Sequence, residues 1–109
     1  MARFVTIGYG DEEGCRRTDP AVRDAAHAHD AWLTSRGVEG GVAGAPVQVR
    51  DHDGAGVVRT DGPFMQAALP VAGFAVIEAA DLDGAVALAA KSPCAVAQGV
   101  IEVWPLQGA

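Results

Sequence analysis

A chain of 109 residues, half of them apolar and a fifth charged, is long enough for one domain with one modest core and too short for two. Its formal charge of −6 and pI near 4.8 repel phosphate backbones and anionic membrane surfaces, which disfavours nucleic-acid binding. No run approaches the roughly 20 apolar residues of a membrane span, and Met1 to Val5 lead into a strand pattern rather than a secretory signal, so a cytoplasmic protein with one domain over residues 1–109 is expected.

Phe4 to Tyr9 is a β-branched and aromatic run with apolar groups on both faces. Gly10 to Thr18 reads as a charged loop, and Asp19-Pro20 as a helix start, with an N-cap carboxylate and proline at the first helical position. The helix is predicted to run from Pro20 to Arg36 and to stop at Gly37. Its stripe of Val22, Ala25, Ala26, His29 and Leu33 is expected to face a sheet, with Arg23, His27, Asp30 and Thr34 opposite.

Gly37 to Ala45 is a glycine-rich connector, and Pro46 to Arg50 and Gly56 to Thr60 are short strands about the hairpin signal Asp53-Gly54. Val71 to Ala79 is the strongest strand, Asp81 caps a helix over Leu82 to Lys91, and Val100 to Leu106 is the last strand. The order β-α-β-β-β-α-β, with two strands each preceding a helix that starts at an Asp, predicts a ferredoxin-like α+β sandwich with an added hairpin. Two helices cover one face of such an antiparallel sheet. Phe4, Ile7, Val76, Ile77, Val100, Ile101, Val103 and Trp104 nevertheless place apolar groups on both faces, which predicts a homodimer joined face to face.

Asp61 closes a strand beside a rigid turn, where a carboxylate can serve as a general base or accept hydrogen bonds from its own turn. His29, on the sheet-facing stripe, is a candidate acid or base or a core histidine bonded to a backbone carbonyl. His27 lies on the polar side near Asp24 and Asp30 and reads first as solvated. The two histidines diverge by about 200° on the helix and do not share a metal readily. Asp51-His52-Asp53-Gly54 lacks the rest of a calcium loop, and Cys15 and Cys94 lack C-x-x-C spacing and are expected as free thiols. Gly8-Tyr9-Gly10 is too short for a nucleotide fingerprint, and Ser35 and Ser92 lie outside any nucleophile elbow, so neither a metal nor a cofactor is predicted. Tyr9 and Trp104, at strand ends, line a small pocket or pack at a sheet edge or interface.

Asp61-Gly62-Pro63-Phe64 resembles the signature of the DGPF group of YCII-related proteins. The likeness extends to Gly8-Tyr9-Gly10-Asp11, to Gly73 through Ala85, and to Ile101-Glu102-Val103-Trp104-Pro105-Leu106, where Trp104 stands in place of the group's arginine. Met65-Gln66-Ala67-Ala68-Leu69-Pro70 likewise replaces the charged residues that usually follow the phenylalanine. The resemblance implies a dimeric α+β barrel of ferredoxin-like subunits and a histidine–aspartate pair near a cleft, here Asp61 with His29 or, alternatively, His27. It also implies an association with extracytoplasmic-function sigma factors.

Together these readings predict a homodimer that binds a small organic molecule in a helix–sheet or interfacial cleft, with Asp61 and His29 as acid–base candidates. The competing expectation is a non-catalytic module with a protein partner in transcription regulation.

Overall fold

The structure is a computed structural model and describes residues 1–108. Its strands and α-helices follow in order: β1 (Ala2–Tyr9), α1 (Glu12–Arg16), α2 (Pro20–Ser35), β2 (Glu39–Val42), β3 (Val47–Arg50), β4 (Val58–Asp61), β5 (Val71–Ala79), α3 (Leu82–Ala89), α4 (Pro93–Val96) and β6 (Val100–Pro105). The strands form a four-stranded antiparallel sheet in the order β2-β5-β1-β6 and a separate ribbon of β3 and β4. This is an α+β architecture consistent with a ferredoxin-like fold.

Aspartates start three of the four α-helices. Asp19 accepts from the Ala21 amide at 2.8 Å ahead of α2, and Asp81 from the Gly84 amide at 2.9 Å ahead of α3, each satisfying a donor that the first turn leaves free. Asp11 does the same for Gly14 at 2.9 Å, which makes a helix of a segment expected as loop. The acidic Glu12-Glu13 and basic Arg16 complement the dipole of that short helix. Pro93 occupies the first turn of α4, where its missing amide costs no hydrogen bond.

The glycine-rich connector holds a second departure, because Glu39 to Val42 pair with β5 from Val76 to Gly73. The open edge of β5 outweighs the poor strand propensity of two glycines, and Gly40 and Gly73 permit the close approach. At the ribbon tip, Asp53 and Gly54 take φ of 61° and 66°, the left-handed pair that the Asp-Gly hairpin signal predicts.

Register divides the main sheet into two faces. Phe4, Thr6 and Gly8 align with Ile77, Ala75 and Gly73, and Thr6 with Val103, all toward the helices. Phe4, Ile77, Ala79 and Ala85 form the core, with Val38, Ala75, Leu88 and Val103 against it. The opposite face carries Val5 beside Val76 and Trp104, and Ile7 beside Phe74 and Glu102. Phe74 and Trp104 there are 50% and 53% exposed, so both faces are apolar within one chain. No helix among the described residues is long and apolar enough to cross a membrane.

Candidate functional site

Helix α2 packs beside α4 and stands off the sheet, leaving a cleft of about 910 Å³ between them. That volume suits a small ligand. The cleft floor is built from Thr6, Gly8, Gly73 and Ala75 of the helix-side sheet face, together with Gly40 and Gly41 of β2. Floor glycines keep the backbone close to anything lying on it. An alanine Cβ at Gly40 would come within 2.6 Å of the Phe74 carbonyl oxygen, and one at Gly73 within 2.6 Å of that of Gly41.

One wall is the α2 stripe of His27, Asp30 and Thr34 with Leu33, and the other end holds Cys15 of α1 and Cys94 of α4. Burial against the cleft pushes the Asp30 carboxyl above the usual carboxylate range, while the charges of His29 and His27 pull it back. Burial also raises the Cys94 thiol, with Cys15 and Asp30 adding to the effect. Both cysteines are free. A carboxyl whose pKa is raised, one helical turn from an imidazole on the same wall, gives the cleft two groups able to exchange protons with a ligand.

Of the sequence candidates, His27 lines this cleft, whereas His29 and Asp61 do not. His29 turns toward α3, where its Nε2 lies 2.8 Å from the Leu88 carbonyl oxygen, and its ring stacks on Trp32 at 5.8 Å between centroids. It ties two helices together. Asp61 ends β4 on the ribbon, is exposed, and pairs in register with Val47. The turn after it is held by the Gly62 amide donating to the Pro46 carbonyl at 3.1 Å. Gln48 Nε2 donates to the Gly62 carbonyl at 3.2 Å, and Arg50 lies over the Phe64 ring at 5.7 Å.

Helical periodicity groups His27, Asp30 and Thr34 on one stripe and assigns that stripe to solvent, and all three are exposed while also lining the cleft. Their role depends on the distance between α2 and the sheet, which no local pattern encodes. The cysteines carry no motif at all; tertiary packing alone brings Cys15 and Cys94 to one cleft. Tyr9 and Trp104 meet on the open sheet face, where both donate to Glu102 Oε1, at 2.7 Å and 3.3 Å. Among the described residues, no group of three or more His, Cys, Asp or Glu is placed to hold a metal ion.

The model of the YCII-related domain matches residues 2–107. The chain therefore belongs to the YCII-related family. No curated protein matches it.

Proposed function

From this membership of the YCII-related family, we propose that the protein binds a small organic molecule in the cleft between α2 and the sheet. His27 and Asp30 then serve as its acid–base pair. The observation that carries this reading is the placement of His27 and Asp30 on the wall of one apolar cleft, with burial raising the carboxyl. The Asp30 carboxyl and the His27 imidazole each offer a hydrogen-bonding and proton-exchanging group to a polar atom of the ligand. Of the two histidines on α2, His27 is the one free to serve, because the Leu88 carbonyl occupies His29. The proposed assembly is a homodimer through the open sheet face, since a monomer leaves Val5, Ile7, Phe74, Val76 and Trp104 against water.

A metabolite-library thermal-shift screen tests the ligand proposal. A compound that raises the melting temperature of the parent and not of His27→Ala or Asp30→Asn supports it. A second reading, a non-catalytic interaction module such as one serving the DGPF group's transcription partners, rests on the exposed apolar sheet. It is favoured if no compound stabilises the protein and the chain proves monomeric in sedimentation equilibrium.

A further inference from the structure

The ribbon of β3 and β4 is a separate sheet of two short strands whose ladder hydrogen bonds remain within itself. Such a ribbon is marginal in water without a surface to pack on. One of its faces carries Val47, Val49, Arg59 and Asp61, as the register Val47 with Asp61 and Val49 with Arg59 requires. Both valines are exposed, Val49 by 68%. The ribbon also lengthens the molecule: the radius of gyration is 15.8 Å, against about 13 Å for a compact domain of this length.

We infer that this ribbon is an exchanged arm, seated on the open sheet face of a second copy at the end where Arg3 pairs with Glu78. The inference rests on the homodimer reading above. Charge supports this occupant. Arg3 and Glu78 lie opposite one another in register, and the arm presents the reciprocal pair, Arg59 and Asp61, two residues apart on one face. Without opposite charges at the contact, two chains of net charge −6 repel each other.

Topology supports it as well. The arm leaves the sheet just after Val42, which pairs with Gly73, whereas the Arg3–Glu78 pair lies at the other end of β5, about 17 Å away along the strand. A two-fold axis parallel to the sheets and perpendicular to their strands brings each subunit's Arg3–Glu78 end over the other's arm. Both unpartnered surfaces are then covered at once and in equal number.

Charge exchange in the full chain, read by sedimentation equilibrium, tests the arrangement. Arg59→Glu sets a second carboxylate against Glu78, and Glu78→Arg sets two guanidinium groups together, so each variant alone dimerises about tenfold more weakly or worse. Mixed in equal amounts, the two restore a heterodimer of parental strength, which also shows that both are folded. If the parent is a dimer and Arg59→Glu matches it, or if the mixture stays weak, the arm contact is refuted while the sheet dimer stands. A monomeric parent removes both.

Discussion

The Tyr9 hydroxyl donates to Glu102 Oε1 across 2.7 Å on the sheet face away from the helices. Tyr9 ionises above its ordinary 10.0, first through this hydrogen bond, then through burial, then through the carboxylate charge. The unfolded chain therefore loses this proton before the folded one, and the stability that the pair contributes is complete below the ordinary tyrosine pKa and is lost as pH rises through the folded value. Ultraviolet titration of the phenol is expected to show an elevated midpoint that falls toward the ordinary value in Glu102→Gln. An unchanged midpoint would remove Glu102 as its cause.

The same pair shows how much is legible in the sequence. Alternation places Tyr9 and Trp104 at strand ends, and capping aspartates mark the starts of α2 and α3. The glutamate joining the two aromatics lies between them only after β6 has been laid against β1, a contact spanning most of the chain. The cleft is less legible still. A stripe such as His27, Asp30 and Thr34 looks solvated wherever its helix is assumed to press its apolar side onto the sheet. All three are indeed exposed, yet they line the cleft, because α2 leaves Val22 and Trp32 44% and 45% exposed instead of pressing its whole apolar side onto the sheet.

Asp30 carries a pH signature of the cleft. Its pKa is raised from the usual 3.8, chiefly by burial, so the folded chain holds this proton more tightly than the unfolded chain. The stability linked to it is complete below the unfolded pKa and is lost as pH rises through the folded value. At neutral pH the charged form is a cost, and Asp30→Asn is expected to raise the melting temperature there and to lose that advantage in acid. A variant less stable than the parent at neutral pH would contradict the desolvated carboxyl.

The glycines of β2 differ despite being adjacent. A methyl at Gly40 would come within 2.6 Å of the Phe74 carbonyl oxygen and 2.9 Å of Ala75 Cβ, whereas one at Gly41 meets nothing within 4 Å. Gly40→Ala is therefore expected to destabilise by about 1–3 kcal/mol, as overpacking does, and to loosen the β2 edge of the cleft. Gly41→Ala is expected to lie within about 0.5 kcal/mol of the parent. Urea denaturation of both variants reads the contrast, and equal losses would mean that β2 does not lie as close to β5 as the structure shows.

The two histidines of α2 separate stability from binding. His29→Ala removes the partner of the Leu88 carbonyl, in the last turn of α3 where no helical amide follows to take it, and also removes the stack on Trp32. A loss of about 1–2 kcal/mol is expected from the hydrogen bond, visible as a melting temperature lower by about 4–8 °C per kcal/mol. Because the imidazole links α2 to α3, hydrogen exchange is expected to accelerate in both helices. His27 makes no comparable tie and faces the cleft, so His27→Ala is expected to stay within about 0.5 kcal/mol of the parent while abolishing the stabilisation by any cleft ligand. Were the outcomes reversed, with His29→Ala keeping its stability and losing the ligand, the working imidazole would be His29, and the bond to Leu88 would have to open when the ligand binds.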